Sequence, residues 1–104
     1  MIICITAEGK EESAAIDSRF GRCGFFHFFN TDSGERKTVE NPGKNEGGGA
    51  GVRAGQLVLD HKAEQVYTGN VGPKAEQVLK EGGVQIHTNS SGSVAELIAS
   101  FKDS

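Results

Sequence analysis

The sequence predicts an α/β fold in which one five-stranded mixed sheet carries three helices. Three observations predict it. An unbroken apolar run opens the chain, an aromatic segment and a polar one follow as a hairpin, and from Ala50 onward helical and strand patterns alternate. At 104 residues the chain fits one domain spanning 1–104.

Met1 to Thr6 shows no polar alternation, as expected of a central strand buried on both faces. It has no basic leader or small-residue cleavage site, so it reads as a strand and not a signal peptide. Ala7 to Arg22 is polar and aperiodic, and is expected to be a long loop, functional or mobile. Cys23 to Asn30 (CGFFHFFN) fits a strand, Thr31-Asp32-Ser33-Gly34 a turn, and Glu35 to Glu40 a shorter polar strand closed by Asn41-Pro42-Gly43.

Ala50, Ala54, Leu57, Val58 and His61 then fall at helical spacing. Glu64 to Thr68 predicts a short strand and Gly69 to Gly72 a tight loop. Pro73 suits the first position of a second helix, whose stripe is Ala75, Val78 and Leu79 and whose stop is Gly82-Gly83. Val84 to Thr88 predicts the last strand. Ser93 with Glu96 forms a capping box ahead of Val94, Leu97, Ile98 and Phe101 at i, i+3, i+4, i+7. Right-handed crossovers between the later strands require them to be parallel, which gives an arrangement close to the ribonuclease H fold.

Composition narrows the function. Eleven Lys and Arg against 14 Asp and Glu give a net charge of -3, without the basic face that nucleic acid requires. No apolar run approaches the ~20 residues of a membrane span. Two cysteines without an export signal point to reduced thiols in the cytoplasm. The 15 glycines cluster in loops, notably Gly47 to Gly51 and Gly69 to Gly72, where backbone must take positive φ or approach something closely.

In an open α/β sheet ligands bind beyond the carboxyl ends of the parallel strands. The loops after Thr6, at Gly69 to Gly72 and at Thr88 to Gly92 are expected to meet there, with Gly47 to Gly51 nearby. Two of these loops lead into helix N-termini, whose free N–H groups favour an anion. Gly69-Asn70-Val71-Gly72-Pro73 reads equally well as a tight strand–helix connection.

Cys23 lies between Arg22 and Gly24, and these flanks favour an accessible thiol poised toward the metal-binding thiolate. Cys4, inside the first strand, reads as a small buried hydrophobe. His27 is expected on the same face as Cys23, but four strand residues span about 13 Å, too far for easy shared ligation. Packing among aromatics is the better reading of His27, and a satisfied helix-end histidine that of His61. His87, near the ligand edge, is the second metal candidate. Asp17 and Glu8 read as solvated loop carboxylates. Cys-x-x-Cys, His-x-x-x-His, a phosphate loop and a serine elbow are all missing, so a closed four-ligand metal site is not expected.

Four blocks carry a resemblance. Asp17-Ser18-Arg19-Phe20-Gly21-Arg22-Cys23-Gly24-Phe25-Phe26, Glu40-Asn41, Gly47-Gly48-Gly49-Ala50-Gly51-Val52 and Gly69-Asn70-Val71-Gly72-Pro73-Lys74-Ala75 occur in order across nearly the whole chain. Together they resemble the dinitrogenase iron–molybdenum cofactor biosynthesis family, which includes NifX, NafY and the C-terminal part of NifB. The resemblance implies a ribonuclease-H-like fold without nuclease activity. It also implies a non-enzymatic carrier that takes an iron–sulfur or iron–molybdenum-type cluster, or its precursor, from a donor protein to an acceptor. The expected binding set is Arg22, Cys23, Gly48, Gly49, Gly69, Asn70 and Gly72, with Cys23 as cluster ligand. An interaction or regulatory module without cargo, or a phosphate- or nucleotide-handling enzyme, are the competing readings.

Overall fold

The computed structural model describes residues 1–43 and 48–102. The strands are β1 (Ile2–Ala7), β2 (Phe25–Asn30), β3 (Arg36–Glu40), β4 (Gln65–Tyr67) and β5 (Gln85–His87); the helices are α1 (Ala50–Asp60), α2 (Pro73–Glu81) and α3 (Val94–Lys102). They form one five-stranded mixed sheet in the order β3-β2-β1-β4-β5. Strand β1 runs antiparallel to β2 and parallel to β4, and β4 is parallel to β5.

Alternation along β1 divides the core. Cys4 faces a layer with Phe26, Phe28, Ala54, Val58, Ala75 and Leu79, which seats α1 and α2 on one side of the sheet. Ile3 and Ile5 face the other side, with Phe29 and with Val94 and Ile98 of α3. Strand β1 is therefore covered on both faces, which is why Ile2–Ile5 is unbroken apolar sequence and the one polar side chain, Thr6, is buried at its carboxyl end.

The helix ends follow local rules. Pro73 opens α2. Its end carries paired bonds from Gly83 N–H to Lys80 O and from Val84 N–H to Leu79 O, with Gly83 at φ 79°. Ser93 Oγ accepts the Glu96 N–H at 3.1 Å while Glu96 Oε1 accepts the Ser93 N–H at 2.9 Å, the expected capping box.

The long loop after β1 is pinned rather than free-running. Ala7 bridges Ile16, Ala15 bridges Ser93, and Arg19 bridges Asn70. Ile16 and Phe20 anchor it in the two opposite cores. Carbonyls of Ala14 and Glu12 accept the N–H groups of Val94 and Ala95, so the loop occupies the N-terminus of α3. Strand β2 begins at Phe25, two residues later than expected.

Helices α1 and α2 approach closely because α1 carries glycine at Gly51 and Gly55. A Cβ on Gly51 would lie 3.1 Å from Ala75 Cβ, and one on Gly55 would lie 2.8 Å from Val78 Cγ1. Glycine to alanine inside an unconstrained helix normally stabilises by about 0.5–1 kcal/mol. Here Gly55→Ala is expected to destabilise by about 1–3 kcal/mol through overpacking. Urea unfolding checks this, and adding Val78→Ala should recover most of the loss.

Candidate functional site

The carboxyl ends of β1 and β4 share a polar knot. Thr6 Oγ1 lies 2.7 Å from Thr68 Oγ1 and 2.9 Å from the main-chain oxygen of Asp17, and Thr68 Oγ1 lies 3.3 Å from that oxygen. The two buried hydroxyls thus hold the loop by its backbone. Gly69 completes the contact: a Cβ there would sit 2.5 Å from Ser18 Cα, so only glycine admits this approach.

Beyond Asp17 the loop turns outward. The Asp17 carboxylate is buried and accepts the Arg19 N–H at 2.9 Å, Arg19 Nε at 3.1 Å and Arg19 Nη2 at 3.2 Å. The hydrogen bond and then the carboxylate charge push the Arg19 pKa up. The guanidinium itself is largely exposed.

A hollow of about 330 Å³ opens between Ser18–Gly21 and the Asn70–Gly72 turn. A second, of about 320 Å³, adjoins it through Gly21 and Gly72 and is lined by Gly49, Gly51, Val52, Pro73 and Lys74 among others. The N-termini of α1 and α2 both open on this second hollow. Their caps, Gly49 and Gly72, provide no side-chain hydrogen bond. Gly49 has φ 79°, a conformation that glycine adopts at low cost. Gly72 has φ -72°, and a Cβ on it would meet nothing within 4 Å. Because Asp17 offsets Arg19, the positive potential on this cleft comes from Lys74 and the two helix ends; α1 has no acidic residue in its first turn, and Glu76 in that of α2 is drawn toward Lys80 at 3.8 Å.

Cys23 lies beneath the cleft, and here the expected accessible thiol is corrected. Its relative exposure is 0%, and it belongs to the core with Phe20, Phe26 and Phe28. Burial foremost, and the Asp17 charge after it, push its thiol up to about 12. Asn41 seals it: the buried carboxamide donates to the carbonyls of Gly21 at 3.0 Å and Cys23 at 2.9 Å, and its Oδ1 accepts the Gly43 N–H at 3.0 Å. Gly24 fits tightly too, since a Cβ on it would lie 3.0 Å from Glu8 O.

The model of the dinitrogenase iron–molybdenum cofactor family matches residues 1–104. The chain belongs to that family. The orange protein of Desulfovibrio gigas, known in an apo form, is similar at 31% identity and TM-score 0.90, covering 98% of this chain and 87% of that one. A NifB-like protein from Thermotoga is similar at 30% identity and TM-score 0.83, over 98% and 87%. An uncharacterised protein of Methanocaldococcus jannaschii is 29% identical over 89 residues, 83% of this chain and 75% of its own.

In this member of the dinitrogenase iron–molybdenum cofactor family, the predicted residues separate. Gly49, Gly69, Asn70 and Gly72 border or support the cleft, Arg22 and Gly48 are exposed near it, and Gly47 lies outside the described residues. His87 does not join Cys23. It stacks on Tyr67 with ring centroids 4.3 Å apart, and its Nε2 lies 3.2 Å from Gln65 Oε1. Tyr67 packs with the α3 layer, whereas Cys23 belongs to the α1–α2 layer, so the sheet stands between them.

His27 is likewise on the far side from Cys23. It is buried and its Nε2 meets Gly9 O at 3.0 Å; the expected shared face fails because Cys23 precedes the strand. His61 ends α1, with Nδ1 2.9 Å from Leu57 O and its ring stacked on Phe28. Among the described residues no group of three or more His, Cys, Asp or Glu side chains could hold a metal ion.

Asp17, expected to be solvated, is the chief polar residue that the sequence reading misplaced. Its signal was local: an Asp two residues before Arg19 can accept that residue's N–H in an Asx turn. Asn41 before Pro42-Gly43 carried the same signal. The contact of Thr6 with Thr68 spans 62 positions and had none.

The Cys23 thiol has a testable pH signature. In the unfolded chain it titrates near 9.0 and in the folded one near about 12, so folding holds its proton more tightly. Its contribution to stability is full below pH 9.0 and is lost as pH rises toward about 12. Chemical unfolding across this range should show alkaline destabilisation that Cys23→Ala reduces. Alkylation of native protein at neutral pH should be slow at this residue until denaturant is added.

Proposed function

We propose that this protein is a carrier that binds an anionic metal–sulfur cluster of iron–sulfur or iron–molybdenum type, or its precursor, during cofactor biosynthesis. The observation that carries the reading is the convergence of two uncapped helix N-termini and Lys74 on one open hollow. Gly72 supports it. Neither its φ nor its neighbours demand glycine, and the missing side chain leaves backbone open to a bulky anion.

Family membership supports a role in iron–molybdenum cofactor biosynthesis, and on that ground we favour a metal–sulfur cargo over the phosphate that the same helix ends would also suit. The cargo would arrive with its metal coordination complete and be held by N–H groups and cations, not by a thiolate. On this reading Arg22 and Lys74 balance its charge, while Arg19 stays with Asp17. Gly48 and Gly49 present the entry to α1, and Gly69 and Asn70 hold the opposite wall. The order β3-β2-β1-β4-β5 is compatible with a ribonuclease-H-like scaffold in a protein that is not an enzyme, serving donor and acceptor proteins in the cytoplasm. None of the described helices is long and apolar enough to cross a membrane.

The test is an anaerobic equilibrium titration with tetrathiomolybdate, a preformed metal–sulfur anion, followed by visible absorption. Wild type and Cys23→Ala should load equally. Lys74→Glu should weaken binding roughly tenfold, about 1.4 kcal/mol, with an effect that shrinks as salt is added. Loss of loading in Cys23→Ala, or none in Lys74→Glu, would reject this mode of binding.

A further inference from the structure

We propose that the protein forms a weak two-fold dimer by antiparallel pairing of β3 with β3 of a second copy. Strand β3 is the outer strand of the sheet, beside β2. Its hydrogen-bonding direction follows from its two ends. Asn30 donates to Glu35 O at 2.9 Å, and Asn41 donates to Gly24 O at 3.0 Å. In an antiparallel ladder the direction alternates, so residues 35, 37, 39 and 41 face β2. Arg36, Thr38 and Glu40 therefore direct their main-chain N–H and C=O groups to the outer side.

The sequence Arg36-Lys37-Thr38-Val39-Glu40 is self-complementary about Thr38. Pairing centred there sets Thr38 opposite Thr38 and Arg36 opposite Glu40 twice. Each of these is a register position where both main-chain bonds can form. Arg36 already lies over the Phe29 ring with its Nε 3.1 Å from Glu12 Oε2, so in the pair its guanidinium is shared between Glu12 of its own copy and Glu40 of the second, and unlike charges opposite one another still favour this register over a slipped one.

A second observation indicates what the pairing covers. Lys37 and Val39 face the α1–α2 side, because they pair with Phe28 and Phe26. On that side a trough of about 280 Å³ runs along β3, with Ile2, Phe28 and His61 in its wall. In the centred register Val39 of the second copy stands opposite Lys37, beside this trough, and extends its apolar wall. The contact is short, roughly 17 Å for five residues, and belongs to the small class of interfaces that associate weakly.

The inference is independent of the cargo. Asn41, at the end of β3, borders the loop under the cleft. Antiparallel pairing sends the two clefts to opposite ends of a ten-stranded sheet, where neither blocks the other.

Sedimentation velocity from about 10 µM to about 1 mM tests it, a span suited to weak association. The wild type should shift from monomer toward dimer. Arg36→Glu places like charges opposite one another twice and should weaken association roughly tenfold. Adding Glu40→Arg restores opposite signs in the same register and should return it to within about threefold of wild type. Thr38→Pro removes an outward N–H at an edge position where proline is tolerated, and should abolish the dimer while circular dichroism stays unchanged. A wild-type monomer across the whole range overturns the inference, leaving the edge to a strand of some other protein. A dimer indifferent to all three variants overturns it equally, by placing the interface on another face.

Discussion

The main-chain oxygen of Asp17 is the point on which the site depends. Two buried hydroxyls, one in β1 and one just after β4, reach it, and the absence of a side chain on Gly69 lets Ser18 lie against the neighbouring turn. A buried carbonyl left unpaired costs on the order of 1–3 kcal/mol, so this knot has a strong preference for closure. Its closure fixes where the loop after β1 leaves the sheet. Everything downstream inherits that exit: the buried Asp17 carboxylate, the Arg19 it orients, and the Gly21 backbone that meets α1.

The same economy extends through the polar interior. Asn41 spends its amide protons on the carbonyls of Gly21 and Cys23 and its oxygen on Gly43, tying the end of the hairpin to the loop below the cleft. Among the described residues no buried side-chain nitrogen or oxygen lacks a partner. The rim of the cleft differs from its foundations. The caps at Gly49 and Gly72 lack side-chain partners, and Arg19 beside them is paired with Asp17. A rigid, satisfied base beneath an undersatisfied rim is the arrangement expected where a polar ligand completes the bonding.

What was legible in the sequence was local. Pro73, the Ser93–Glu96 box and the apolar run Ile2–Ile5 of β1 announce their roles within a few residues, and the element order follows from them. The polar knot joins residues 11, 51 and 62 positions apart, and no short-range pattern encodes such contacts. Cys23 shows how a sound local argument goes wrong. Its glycine neighbours suggested open backbone around a reactive sulfur. Here glycine serves the opposite purpose: Gly21 and Gly24 let the loop press against Gly51 and Glu8, and that closeness is what buries the thiol. His27 was misplaced because strand alternation was counted from Cys23, two residues before β2 begins.

The burial of Cys23 bears on how a carrier can work. A thiolate bonded to a metal holds its cargo by a covalent coordinate bond, and transfer then requires a competing ligand. A neutral thiol sealed beneath Asn41 neither captures metal nor oxidises readily. Helix ends and surface cations contribute only about 0.3–1 kcal/mol each at exposed positions. A few of them together give retention that remains reversible on contact with an acceptor. On the proposed reading, such a rim would favour cargo of the right charge and size without fixing its metal, and release would need no chemical step on the protein.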